Sequence, residues 1–378
     1  YEPEYIWLPT QQCSNYENRI TVYSLGSYSL IKLKNRHSYQ LNDNLALLLT
    51  TSGSTGSPKL VRLSKENILS NARSIAGYLE INELERPITS LPMHYSFGLS
   101  VINSHIMKGA TLLLTDRSIM EKEFWTLLKS EKATSLSGVP YTFEMLKKLR
   151  FFRMDLPFLK TLTQAGGKLN HELNREFSEF CFQSGKRFFV MYGQTEATAR
   201  MSYLSPQYSL SKLGSMGKAI PGGEFSLVDE QGKIISEGEV TGELVYKGEN
   251  VSLGYAECGA DLSKEDENKG ILITGDLAKR DHDGFYYIVG RKKRFIKIFG
   301  NRINLDETER MLKSIIPECA CNGTDDQMVI YITDESRKKE VINYLSDRTG
   351  IHPQAFTVKK VDIIPKNASG KTIYSQLK

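Results

Sequence analysis

The run Thr50-Thr-Ser-Gly-Ser-Thr-Gly-Ser-Pro-Lys59 concentrates groups that bind phosphate. Gly53 and Gly56 let the backbone turn sharply and present successive N–H groups, while Thr51, Ser52, Ser54 and Thr55 add hydroxyls and Lys59 a cation. A loop of this kind cradles a polyphosphate chain. It is not a Walker A loop, because Ser57 and Pro58 separate Gly56 from Lys59; Gly370-Lys371-Thr372 fails too, with Pro365 where the first glycine is needed. Further along, Tyr192-Gly193-Gln194-Thr195-Glu196 follows the apolar run 188–191, and Asp276 closes the apolar run 271–274. Polar residues at the carboxyl ends of strands are where open α/β sheets bind ligands. Gly166-Gly167 after Ala165 reads as a close backbone approach to a flat ligand.

These residues need a frame. Apolar strands are predicted over 45–50, 111–115, 159–165 and 188–191, alternating with helices over 65–80, 119–132 and 171–184, the pattern of an α/β domain with a mostly parallel sheet. The loop 50–59 is read as joining its strand to a helical segment. The first forty residues read as irregular structure with one or two strands. After Gly214 the pattern changes to short strands over 224–229, 242–247 and 284–289, a β-barrel-like subdomain. Elements over 305–314, 328–333, 338–349 and 357–363 suggest a compact α+β module. The domains are therefore drawn as 1–291 and 292–378, with a hinge near Lys293 inside the basic run 291–302.

The motifs fall in a fixed order: the Ser/Gly loop, His94 in Leu91-Pro-Met-His-Tyr-Ser-Phe-Gly98, Ala165-Gly166-Gly167, Tyr192 to Ala197, Gly214 to Gly223, Thr274-Gly-Asp276, Gly290-Arg291 and Pro365-Lys-Asn-Ala-Ser-Gly-Lys371. In that order they resemble the AMP-forming adenylating superfamily of acyl-CoA synthetases, acyl and aryl acid:AMP ligases, peptide-synthetase adenylation domains and luciferases. The resemblance covers the chain from about residue 45 to its end. It implies activation of a small carboxylic acid by ATP to an acyl-adenylate with loss of pyrophosphate, then transfer to a thiol of CoA or of phosphopantetheine on an acyl carrier protein. It also assigns roles. Tyr192 stacks on adenine, with Gly193 and Gln194 beside it; Thr195 bonds the α-phosphate; Glu196 holds Mg²⁺, which favours oxygen ligands and keeps waters. Asp276 takes the ribose hydroxyls, and Arg291 the ribose or the phosphate. Ala165, Gly166, Gly217 and His94 border the acyl pocket. Lys371 neutralises charge between carboxylate and α-phosphate. Lys293 is the pivot that brings Lys297 to the site for the second step.

The remaining composition narrows the setting. Lys+Arg number 49 against Asp+Glu 44, a formal charge of +5 that is mixed along the chain, so no nucleic acid is expected as partner. The apolar runs are too short for stable membrane insertion. Five scattered cysteines form no disulfide framework and, with no leader visible before Tyr1, point to the cytoplasm. No acid stands in 95–103 to pair with an α-ammonium, so the acid is expected to lack an amino group. Only 49 residues precede Thr50, fewer than the resemblance leads one to expect, and Phe299 stands where many relatives have a basic or polar residue. The competing readings are an ATP phosphotransferase using the Ser/Gly loop and a catalytically weak adenylation-fold binding protein.

Overall fold

A computed structural model describes residues 3–34, 39–50, 59–236, 238–299, 301–366 and 372–377, with backbone only at 301 and 302. At its centre is a six-stranded sheet. Four parallel strands, Pro87–Ile88, Ser135–Gly138, Thr161–Gln164 and Arg187–Tyr192, are extended by the antiparallel Ser202–Leu204 and Lys218–Ala219. Ser135–Gly138 and Thr161–Gln164 are buried throughout, as parallel strands covered on both faces must be. One covering layer contains the helices Lys122–Ser130, Pro140–Lys148 and His171–Gln183 and an aromatic cluster. Within it Phe143 meets Phe177 edge-on, with ring centroids 4.9 Å apart. The other contains Lys65–Tyr78 and Ser96–Ile106, packed through Ile75, Phe97 and Val101 onto Phe189 and Met191.

The segment 111–115 is not a full strand: only Leu113 bridges, in parallel, to Ile88. The partner strand Pro87–Ile88 is only two residues long, which limits the ladder. The amino-terminal residues form a three-stranded antiparallel sheet, Tyr5–Pro9, Arg19–Leu25 and Tyr28–Leu33, rather than irregular structure with one or two strands. Its buried side rests on Leu8, Cys13 and Ile31.

The local setting of the Ser/Gly loop also differs from the strand–turn–helix reading. Leu45–Thr50 pairs antiparallel with Leu60–Ser64, so the ladder ends at Thr50 opposite Leu60 and the chain between them connects a hairpin. The helix starts only after the second strand, where Ser64 and Asn67 form a reciprocal cap. Gly254–Ala256 lies along the other edge of Leu60–Ser64. Arg62 fastens this arrangement. It is fully buried and donates to the carbonyls of Leu253 (2.9 Å), Tyr255 (3.1 Å), Glu265 (3.2 Å) and Lys264, and to the Glu267 carboxylate (2.7 Å).

After the central sheet, Gly223–Val228, Val240–Gly248, Ile271–Arg280 and Tyr286–Arg291 build an antiparallel sheet of four strands. Leu244 and Tyr246 point into its core while Thr241 and Lys247 face water, the two-residue period of a half-covered sheet. A 3₁₀ turn over Lys292–Arg294 follows directly. Beyond it a hairpin, Phe295–Ile298 with Asn301–Asn304, leads to helices Leu305–Leu312 and Lys338–Thr349 and a three-stranded sheet with its own core. Cys319 and Cys321 are buried in that core, which pushes the Cys319 thiol up to about 12 and Cys321 higher still, so neither is poised to bind metal.

His105, near the end of the Ser96–Ile106 helix, is buried and bonds the Val101 carbonyl through Nδ1 at 2.7 Å. Burial lowers its pKa from 6.5 to about 4, and the Arg200 charge opposes protonation further. The unfolded chain therefore takes up this proton first as pH falls. Stability contributed by neutral His105 is complete above pH 6.5 and is lost towards pH 4, roughly 3 kcal/mol in all. Urea unfolding of wild type and His105→Asn across that window should show a flatter pH profile for the variant. Parallel profiles would rule out His105 as the source.

Candidate active site

Tyr192 ends the last parallel strand, and the chain turns through the 3₁₀ segment Thr195–Ala197 with left-handed backbone at Thr198 (φ 58°). The turn is so tight that a Cβ on Gly193 would lie 1.7 Å from the Ala199 carbonyl oxygen. It aims Tyr192 and Gln194 at the neighbouring antiparallel sheet. The Tyr192 hydroxyl donates to Asp276 Oδ2 at 2.6 Å, and the Gln194 amide donates to the same oxygen at 2.9 Å, to the Tyr192 hydroxyl oxygen at 3.1 Å and to the Thr274 carbonyl at 3.0 Å. Arg291 pairs with Asp276 in strand register, its Nε 3.6 Å from Oδ1. Burial raises the Asp276 pKa, while Tyr192, Arg291 and Gln194 pull it down. Oδ2 already accepts two protein donors. Oδ1, facing the exposed Arg291, is the oxygen open to a ligand hydroxyl.

Thr195 and Ser96 share a hydrogen bond of 3.1 Å, which brings the first turn of the Ser96–Ile106 helix against the motif. Glu196 Oε1 accepts from the Tyr255 hydroxyl at 2.7 Å. Lys59 lies over the Tyr255 ring, 5.9 Å from its centroid, and pairs with Glu257 at 2.7 Å. A cleft of about 580 Å³ opens beside Tyr255 and Glu257. Among the described residues no group of three or more His, Cys, Asp or Glu side chains could hold a metal by themselves. Glu196 is thus a single hard oxygen donor. That donor suits Mg²⁺, whose remaining ligands would be water and phosphate oxygens.

On the other side of Thr195, His94 is exposed in the turn before the helix, and Tyr95 is half buried. Gly166 has φ +82°, and a Cβ there would meet the Tyr95 hydroxyl at 2.6 Å and Val139 Cγ1 at 3.0 Å; at Gly167 it would meet Pro140 Cγ at 3.1 Å. Ala165 is buried. Gly217 is a glycine because its Cβ would lie 1.8 Å from the Tyr203 carbonyl oxygen across the sheet edge, a packing reason for this residue. Lys293 is exposed in the 3₁₀ turn; Lys297 is exposed on the following hairpin, where its N–H donates to Asp325 at 2.8 Å. Phe299 has φ 50° and an exposed ring, with its N–H held by Asp326. Thr51, Ser52, Gly53, Ser54, Thr55, Gly56 and Lys371 lie outside the described residues. Ser96, Tyr255 and Glu257 were not singled out from the sequence. Ser96 stands two residues from His94, but Tyr255 is 59 positions from Glu196 and no spacing rule links them.

Comparison with known proteins agrees with this geometry. A 2-succinylbenzoate–CoA ligase of Bacillus subtilis (strain 168) is 30% identical over 358 residues, 90% of this chain and 70% of that protein. A luciferin 4-monooxygenase of Photuris pensylvanica is 29% identical over 355 residues, 89% of this chain and 64% of that protein. Among solved structures, a Bacillus subtilis O-succinylbenzoate coenzyme A synthetase in complex with AMP is similar with a TM-score of 0.74 and 28% identity, over 93% of this chain and 70% of that one. A family model described as AMP-binding enzyme matches residues 10–256. The chain belongs to this family of AMP-binding enzymes, the AMP-forming acid–thiol ligases of the adenylating superfamily.

Gly166→Ala should lower stability by about 1–3 kcal/mol, because an L side chain enters left-handed backbone and strikes Tyr95. In a Tyr95→Phe background the hydroxyl is gone and the loss should shrink. Equal losses in both backgrounds, measured by urea unfolding, would remove Tyr95 as the constraint.

Proposed function

We propose that this enzyme activates a carboxylic acid lacking an α-amino group with ATP, forms the acyl-adenylate and pyrophosphate, and passes the acyl group to the thiol of coenzyme A. The observation that carries the reading is the knot of Tyr192, Gln194, Asp276 and Arg291 beside Thr195 and Glu196 at the carboxyl end of the parallel sheet. In this reading Asp276 Oδ1 and Arg291 hold the ribose, Tyr192 offers a ring face to adenine, and Thr195 faces the α-phosphate. Glu196 would hold Mg²⁺, which supplies charge neutralisation on phosphate oxygens. Nucleotide binding would require Tyr255 to share or release Glu196, and Lys59 to exchange Glu257 for phosphate. No covalent enzyme intermediate is needed; positioning and fixed charge carry the catalysis. Succinylbenzoate and feruloyl relatives make aryl and arylalkanoic acids the first to test. Coenzyme A is the acceptor named for those relatives, and a carrier-protein phosphopantetheine is the alternative. All five cysteines are unpaired, which suits the reducing cytoplasm.

The same reading divides the chain at 291/292. Arg294 is tied to the small module by Asp306 (2.7 Å), Glu309 (2.6 Å) and the Tyr374 ring (3.9 Å). Lys292 is tied the other way, to Glu243 at 2.8 Å. Lys293 is left between the two anchors to absorb a backbone rotation. A swing there would exchange Lys371, which serves adenylation, for Lys297, which serves thioester formation.

Carboxylate-dependent exchange of labelled pyrophosphate into ATP across a panel of acids tests the first step; adding coenzyme A or a carrier protein identifies the acceptor. Formation of ADP in place of AMP would overturn the reading. Glu196→Gln should cost about 10²–10³ in exchange rate, since a charge contact at the phosphates is lost. Lys371→Ala should lose adenylate formation yet still make thioester from supplied acyl-adenylate. Equal slowing of both steps would sink the two-position scheme.

A further inference from the structure

Arg200 is 2% exposed. No carboxylate lies within ion-pair distance of it among the described residues. The two other deeply set arginines are treated differently: Arg62 has Glu267 at 2.7 Å, and Arg294 has Asp306 and Glu309 at 2.7 and 2.6 Å. Arg200 has only neutral partners. Its Nε donates to Ser100 Oγ at 3.1 Å, one terminal nitrogen reaches the Tyr78 hydroxyl at 3.1 Å and Met191 Sδ at 3.4 Å, and its guanidinium lies 5.0 Å from the centre of the Phe97 ring. An arginine buried without a counter-ion is costly, and a methionine would fill the same space without that cost. His105, which faces the same charge, is held neutral and offsets nothing.

The position of this charge relates it to the reaction. Arg200 follows Glu196 by four residues. Its partner Ser100 stands one turn along the helix from Ser96, whose hydroxyl touches Thr195. Four helical residues span about 6 Å. The guanidinium therefore enters the apolar layer of Phe97, Ala165 and Met191 about one turn deeper than the hydroxyls at Thr195. A reacting carboxylate held at Thr195 would leave the far end of its own molecule in this layer.

The geometry points to a substrate that carries a second carboxylate about 6 Å from the one that is adenylated, with Arg200 as the residue that selects it. The inference rests on the adenylation reading above. Substrate binding then supplies the missing counter-ion, and the same charge repels any acid bearing an ammonium at that depth. A monoacid of equal length would bind without relieving the buried charge.

The test uses matched pairs of acids, each monoacid compared with its ω-carboxylated partner, in pyrophosphate exchange with the full chain. Wild type should favour the diacid, and the diacid alone, without ATP, should raise the melting temperature. In Arg200→Met the diacid-to-monoacid ratio of kcat/KM should fall about 10²-fold, the scale expected for losing a desolvated charge pair, and the diacid's thermal shift should vanish. Arg200→Lys, which keeps the charge, should restore part of the preference and covers the case in which Arg200→Met does not fold. Parallel losses for both acids in either variant would make Arg200 structural and overturn the inference. So would robust wild-type exchange with monoacids and no diacid advantage. Absence of exchange with every acid would instead overturn the adenylation reading, and this inference with it.

Discussion

A buried carboxylate needs donors, and Asp276 draws its own from a different sheet. Tyr192 and Gln194 reach it from the end of the parallel strand, while Arg291 faces it across the antiparallel ladder. Each donor constrains a separate part of the fold. The sharp turn at Gly193 follows from it, since Tyr192 and Gln194 must point the same way within three residues. So does the close seating of the four-stranded sheet on the central one. The site is thus a junction between layers, and its geometry is fixed by the cost of leaving Asp276 without partners.

Arg62 solves the same problem with the opposite sign. Its carbonyl partners and Glu267 bind the segment around 253–267 to the strand that follows the phosphate loop. That segment carries Tyr255 and Glu257, the groups now occupying Glu196 and Lys59. The phosphate-handling residues are therefore held by neighbouring side chains in an arrangement that nucleotide would have to replace. The Lys59–Glu257 pair is well exposed, and such pairs contribute about 0–1 kcal/mol, so phosphate displaces Glu257 at little cost.

How far the sequence reveals this depends on the distance over which each contact acts. Strings such as Tyr192–Glu196 carry their roles locally, because the strand, the turn and the ligand-facing residues are adjacent in the chain. Helices with strong caps and apolar stripes, such as 338–349, are legible for the same reason. Contacts made only by folding leave no such trace: Ser96 meets Thr195 across 99 positions, and Arg200 meets Ser100 across 100. The strand after the phosphate loop was missed because Leu60–Ser64 runs straight into a capped helix, and the helical period masks the short ladder. Gly217 shows the converse. Its motif suggests a ligand, yet the crowding at Tyr203 already demands glycine.

The small module illustrates how weakly a moving part has to be held. Asn304 caps its first helix and also donates to the Val289 carbonyl at 2.9 Å, and Lys168 donates to Ile288 at 3.1 Å from the other side of the site. Burial lowers the Lys168 pKa, with Arg310 of the module adding repulsion and Glu307 opposing it. Hydrogen bonds of this kind contribute on the order of 1 kcal/mol each. By contrast, the module's interior contains a full apolar core and the Arg294–Glu309–Tyr374 cluster. Rotation about Lys293 would break the few contacts at the seam and leave that interior intact. A division of labour between Lys371 and Lys297 therefore requires no unfolding, only the exchange of a few polar contacts for those of a bound nucleotide.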